Sequence, residues 1–325
     1  MPGVTELPQL RHRARDGQSR ADLTLLSAVL LTSLNYSVMK VGLGEFDPLV
    51  FCVLRFGLGG AVLLGFVRLR EGTLRLGSRD AALVCLVGLL GIALQQGTLA
   101  FAVQDAGAAD TAMLAATVPL ITAALAAVTR MDRFRRRHWV AVAGGLVGVA
   151  LVVSVGPQAG RAHSSAVGNT LAIVNAFVTS VAAFPIASLL RRQSAARVLG
   201  YEMLVGTAII LPFAAPALTR LDPSRIDLAG WTCLAFTTVF SGVLAALLYF
   251  AGLREVGPAR AALFQYLAPP LAVLFAVVFV GDSVTPLQLL GGALVMASIA
   301  ASRPTIGREP ETRPPKTRAT PTSAT

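Results

Sequence analysis

The sequence predicts an all-α integral membrane protein of ten transmembrane helices arranged as two inverted five-helix repeats, and three observations carry that prediction. Of the 325 residues, 54% are hydrophobic and only 14% are charged, whereas a soluble domain carries about 25% charged residues. Ten windows almost free of charge follow one another along the chain. The second half also repeats the first at an offset of about 150 residues.

The hydrocarbon layer of a bilayer is about 30 Å thick and a helix rises about 1.5 Å per residue, so a crossing helix needs about 20 mainly apolar residues. Residues 1–20 carry Arg11, Arg13, Arg15 and Arg20 ahead of the first window, 23–39. A cleaved signal is not expected, because the window is long, no small-residue cleavage site ends it and further spans follow at once. Span 2 is 48–67, broken only by Arg55; spans 3, 4 and 5 are 81–104, 111–129 and 139–154. Span 6 is 164–190, span 7 is 198–219 broken only by Glu202, and spans 8, 9 and 10 are 228–253, 261–281 and 283–302. An unpaired backbone group in lipid costs several kcal/mol, and none of the windows alternates as a barrel strand does, so helices are expected throughout. Spans 3, 5 and 10 are Gly-rich, which permits close helix contact. Residues 303–325 are rich in Pro, Thr and Arg and should form a disordered tail. The division that follows is a tail at 1–20, repeats at 21–155 and 164–302, and a second tail at 303–325.

The net charge of +11 sorts by side of the membrane, which argues for a lipid partner and against nucleic acid. With the N-terminus in the cytoplasm, inner segments hold 23 Lys and Arg and outer segments three. This bias predicts that both termini are cytoplasmic. Only Lys40 and Arg55 are left unassigned.

At an offset of 150, DAGAADTAMLAATVPL (105–120) aligns with EVGPARAALFQYLAPP (255–270) without gaps, so that Gly107 meets Gly257 and Pro119 meets Pro269. Asp132 meets Asp282 further on. Five is an odd number, so the second copy must cross the bilayer in the opposite sense. Loop charge agrees: RMDRFRRR (130–137) holds five arginines and its mate VGDSVTPL (280–287) none. Inverted repeats are a known basis of secondary transporters, whose halves exchange conformations around a cavity near the midplane.

With these spans, duplication and loops, the chain resembles the EamA-type drug/metabolite transporters over residues 21–302. The resemblance is carried by G-x-A-x-x-A-x-x-x-x-x-x-P at Gly107–Pro119 and Gly257–Pro269, each followed by an acid-containing turn, and by Asn35, Lys40 and Arg55. Asp132 and Asp282 stand where the family commonly has Glu, and Met131 where it has Gly. The resemblance implies an inner-membrane carrier of small metabolites, often an exporter of amino acids or drugs, and does not name the cargo.

A charge at the centre of a membrane helix costs about 2.5–3.5 kcal/mol or more, so embedded ionisable residues are candidates for function. Lys40 lies roughly 27 Å from the inner start of span 1. It either snorkels to water beside Glu45 and Asp47 or forms a cationic rim for anionic or zwitterionic cargo. Arg55, roughly 10 Å deep, either ties span 2 to carbonyls or Tyr36, or meets a substrate carboxylate with its planar fork. Glu202 is its mate at an offset of 147. Glu202 either pairs with Arg197 or another inner-loop base, or takes up and releases a proton and so permits proton coupling. Asn35, Gln95, Gln96, Asn175, Thr179, Ser180, Gln265 and Tyr266 lie nearer the midplane. Each singly suits helix packing, and together they suit a shared polar cavity. Pro119 and Pro269 remove backbone donors and mark helix breaks.

Cys52, Cys85 and Cys233 lie singly, and His12, His138 and His163 are scattered, so no disulfide framework, metal site or cofactor is expected. There is no phosphate loop or nucleophile elbow, and no enzyme is expected. The expected activity is secondary transport of small organic solutes; the alternative is a non-transporting membrane sensor or assembly scaffold.

Overall fold

A computed structural model describes residues 6–118, 121–122, 124–125, 136–154, 165–256, 264–265 and 267–302. Every regular element among them is helical. Helix α1 is Glu6–Gly42. The segment expected to be a tail is therefore helical from Glu6 onward, and Pro8 sits in the first turn, where a missing N–H costs nothing. Helix α2, Pro48–Glu71, is punctuated at both ends. Asp47 accepts from the N–H groups of Leu49 (2.9 Å) and Val50 (3.3 Å), and Gly72 ends the helix at φ +73°.

The third span is α3, Ser78–Val87, a π-helical segment, Gly88–Leu94, and α4, Gln95–Ala106. Gly107, at φ +89°, turns the chain into α5, Ala108–Ala115. Helix α6 is Arg136–Ser154. Ser165 caps α7, Ala166–Leu190, and Ser194 caps α8, Ala195–Leu218. Helix α9, Leu228–Phe236, continues through a second π-helical segment, Thr237–Leu244, into α10, Ala245–Val256. Helix α11, Ala268–Phe275, passes into a π-helical turn, Ala276–Val280, and α12 is Pro286–Ser302. The π segments of the third and eighth spans lie 149 to 150 residues apart, so the duplication extends to an irregularity of the backbone.

Among the described residues, six helices are long and apolar enough to cross a membrane: Arg20–Gly42, Pro48–Glu71, Ser78–Ala106, Ala166–Leu190, Ala195–Leu218 and Leu228–Gly252. Ala143–Val152, Ala268–Val280 and Pro286–Ser298 are shorter apolar helices. The window 111–129 falls only partly within the described residues, and the tail 303–325 lies outside them.

The two halves interleave. The main helix contacts are α2 with α8, α6 with α12, α4 with α7 and α1 with α10, each joining a helix before residue 155 to one after 164. Small residues permit the approach: a Cβ on Gly60 would lie 2.9 Å from the side chains of Met203 and Leu204. Met39, Phe51, Phe56, Ile92, Met203 and Ile210 form the largest buried apolar cluster. Leu69, Val62, Phe213 and Phe279 point outward with more than half of their surface free, as side chains facing lipid tails do.

Hydrogen bonds and ion pairs tie the bundle at both ends. At the end holding residues 71–80, Arg197 pairs with Glu71 (2.7 Å) and Arg192 with Asp80 (2.8 Å), while Tyr201 donates to the Leu74 carbonyl. At the other end, the Ala109 N–H donates to Asp282 (3.1 Å), Gln288 to Asp110 (2.6 Å), and the Ser165 N–H to the Asp105 carbonyl (3.1 Å).

Candidate functional site

A cavity of about 450 Å³ lies between the halves, within the range of small-molecule sites. Much of the wall is built from residues four apart, which on α1, α4 and α7 share one face of the helix. Helix α1 gives Thr32 and Tyr36; the start of α4 gives Gln95 and Leu99; α7 gives Asn175 and Thr179. Gln265 and Pro269 form a further pair, Ala112 and Ala116 another, and Tyr249 and Met296 complete the lining with Ala115, Val118 and Ala268. Several lining residues are repeat mates: Thr32 and Thr179 at an offset of 147, and Leu99 and Tyr249, Ala115 and Gln265, Val118 and Ala268 at 150. The cavity therefore straddles the relation between the halves.

The lining is mostly apolar, with uncharged polar groups set into it. Asn175 donates through Nδ2 to the Gln95 carbonyl, where the π segment ends, leaving Oδ1 as an acceptor. Thr32 and Thr179 donate to carbonyls of their own helices, at 3.0 Å to Ala28 and 2.8 Å to Asn175, so their oxygens also remain as acceptors. Gln96 donates to the Gln95 side-chain oxygen (3.0 Å), which leaves the Gln95 amide NH₂ free to donate. Proline has no N–H, so Pro269 gives none to the carbonyl of Gln265. No acid, lysine or arginine lines the cavity among the described residues.

Of the residues expected from the sequence, Tyr36, Gln95, Asn175, Thr179, Gln265 and Pro269 meet at the cavity. Pro269 lies in the first turn of α11, not in a helix interior. Ser180 sits behind the wall and donates to the Val118 carbonyl (3.1 Å). Asn35 is buried elsewhere, and its Oδ1 has no partner among the described residues. Pro119 and Tyr266 lie outside the described residues. Sequence reasoning passed over Thr32, Tyr249 and Met296. The first was findable, four residues before Tyr36 and opposite Thr179 in the repeat.

The three ionisable residues stand apart from the cavity. Lys40 donates through Nζ to the Gln104 carbonyl (2.6 Å), and the charges acting on it are Asp282 and Asp105, in place of the expected Glu45 and Asp47. Arg55 is 4% exposed; its Nε donates to the carbonyl of Thr237 (3.0 Å), first residue of the second π segment, and its guanidinium lies 4.7 Å over the Phe56 ring. Glu202 is buried against Gly91 of the first π segment, where an added Cβ would collide with the carboxylate. Arg197 is engaged by Glu71 and Gln193. Each charge of the mated pair, Arg55 and Glu202, thus packs on the π segment of the opposite half. Among the described residues, no three His, Cys, Asp or Glu side chains gather to hold a metal.

Residues 19–154 and 166–302 each match the EamA-like transporter family. The chain belongs to that family. The EamA domain is thus present twice, and the protein is a multi-pass membrane transporter. Among curated relatives, the probable terminal-alkyne amino-acid exporter of Streptantibioticus cattleyicolor is 28% identical over 91% of this chain and 98% of its own. The uncharacterized transporter YyaM of Bacillus subtilis is 24% identical over 85% and 91%. The uncharacterized inner membrane transporter YedA of Escherichia coli is 26% identical over 85% and 88%. A solved crystal structure has a similar fold, at TM-score 0.60 and 22% identity, covering 87% of this chain and 96% of that one.

Proposed function

We propose that this EamA protein is a secondary transporter, working as an exporter of small amino-acid-like or drug-like solutes from the cell through the inner membrane. Ten helices in two inverted repeats of five, with both termini in the cytoplasm, alternate access to the cavity between them. The observation that carries this reading is the cavity itself: walled by both halves, large enough for a small metabolite, and mainly apolar with seven uncharged polar side chains among the described residues. Its acceptors (the Asn175 and Gln265 side-chain oxygens and the two threonine hydroxyls) suit the N–H groups of an amine or ammonium. Tyr36, Tyr249 and the Gln95 amide suit a carboxylate or carbonyl, and Leu99 and Met296 an apolar body. Export is favoured by the name of the Streptantibioticus cattleyicolor relative. Glu202, an acid buried beside a π segment, is the proposed carrier of a coupling proton.

The test is flux in liposomes containing the purified protein, with a proton gradient imposed, against a panel of amino acids and uncharged drug-like solutes. Saturable flux of at least one solute, weakened by Asn175→Ala, is expected. Flux no greater than in protein-free liposomes for every solute would overturn the reading.

A further inference from the structure

Two serines make the same unusual contact from opposite halves. Ser33, on α1, donates through Oγ to the carbonyl of Val29 (2.7 Å) and to that of Ala268 (3.2 Å), the residue leading into Pro269. Ser180, on α7, donates to the carbonyl of Ala176 (2.8 Å) and to that of Val118 (3.1 Å), the residue leading into Pro119. Serine and own-helix acceptor are related by 147 residues, and the cross-half acceptors by 150. Both serines have no exposed surface. A hydroxyl has one proton, so each is shared between the serine's own helix and the opposite half. The neighbours Thr32 and Thr179, and the acceptors Val118 and Ala268, all line the cavity.

Two other ties between the halves lack a mate of this kind. Arg55, which donates to the Thr237 carbonyl, has Glu202 as its mate at 147, and a carboxyl group has no N–H to donate. Asn175, which donates to the Gln95 carbonyl, has Ala28 as its mate. When inverted halves exchange conformations, each contact takes the geometry its mate had before. The two serine contacts differ by only 0.1 Å in their cross-half distances within one conformation. Exchange therefore leaves both unchanged, whereas ties without an equivalent mate are made in one state and broken in the other.

We propose that Ser33 and Ser180 are paired positioning residues: pivots that hold Ala268 and Val118 of the opposite half against the cavity in both open states, while the ends of the bundle move. This rests on the alternating-access reading above. The serines touch no cargo; they act through the carbonyls of Ala268 and Val118, and so keep the cavity wall in place while access changes sides.

The experiment measures liposome flux of the full chain. Ser33→Ala and Ser180→Ala should each slow the maximal flux about threefold, the scale of one membrane hydrogen bond, with KM unchanged, and Ser33→Thr, which restores a hydroxyl, should recover the rate. Alanine variants that run at the parent's rate, a raised KM, or an equal slowing by the threonine variant would each overturn the pivots. Alternation itself is tested at the Gln288–Asp110 contact, whose mates at 150, His138 and Arg260, are not an amide and an acid. With Cys52, Cys85 and Cys233 changed to alanine, Asp110→Cys joined to Gln288→Cys by a short reducible thiol cross-linker should lose more than tenfold of the flux of the unjoined pair and recover it on reduction. If the joined pair keeps its flux, alternation between the halves fails as a reading, and the pivots fall with it.

Discussion

Replacing Gly148 by alanine tests the seam between α6 and α12. A Cβ there would lie 2.7 Å from the carbonyl oxygen of Gly291, 2.8 Å from Cγ2 of Val295 and 3.0 Å from the Val295 nitrogen. Two of those three atoms are backbone, so no side chain can rotate away to relieve the contact. Ordinary contact begins near 3.4 Å, so the helices must part by about 0.7 Å at the crossing. Separations of about 0.5–1 Å forfeit a quarter to a half of each atom-pair attraction. Overpacking of this kind costs about 1–3 kcal/mol. At about 2 °C per kcal/mol, a chain of this size should melt roughly 2–6 °C lower. Gly291→Ala makes the reciprocal clash, 2.6 Å from the Gly148 carbonyl oxygen. Once the helices have parted for one methyl group the second costs less, so the double variant should lose less than the sum of the singles. The assay is thermal unfolding of the purified protein in detergent. Gly65→Ala is the control, since nothing lies within 4 Å of its added Cβ; it should be neutral or slightly stabilising, because alanine is the better helix former. A melting temperature for Gly148→Ala equal to that of Gly65→Ala would refute the close approach.

Flux measured against pH in Glu202→Gln should lose the pH dependence of the parent, and an unchanged profile removes Glu202 as proton carrier. Asn175→Ala and Gln265→Ala should each weaken apparent affinity about 2- to 12-fold, the loss of one hydrogen bond of about 0.5–1.5 kcal/mol; unchanged KM in both would detach the cavity from the cargo. Cysteines placed at Arg133 and Ser283 should react with an impermeant thiol reagent from opposite sides of the membrane, and labelling from one common side would end the inverted arrangement. The half-buried Glu71–Arg197 pair should contribute under about 1 kcal/mol in a double-mutant cycle and weaken with salt.

Much of the fold could be read along the chain. Apolar runs and their spacing mark where helices lie, and the caps at Asp47, Ser165, Ser194 and Asp227 are local signals of helix starts. The offsets of 147 and 150 residues make the duplication visible, and a polar residue within an apolar run declares itself whatever its surroundings. Which way such a residue points is another matter. In a soluble protein an amphipathic stripe tells a helix which face turns inward, but lipid tails are as apolar as a protein core, so a helix apolar all round carries no such mark. Its rotation is set by the helices that grip it, and by π segments, each of which shifts the facing of the residues beyond it. That is why Tyr36, Gln95, Asn175 and Gln265 could be nominated from the sequence yet not told apart from Asn35 and Gln96. It is also why Lys40, Arg55 and Glu202, the conspicuous charges, sit on carbonyls and π segments outside the cavity. The sequence by itself determined the class of protein, the duplication and the stock of polar groups. The tertiary packing of small residues between the halves decided which of those groups share one chamber.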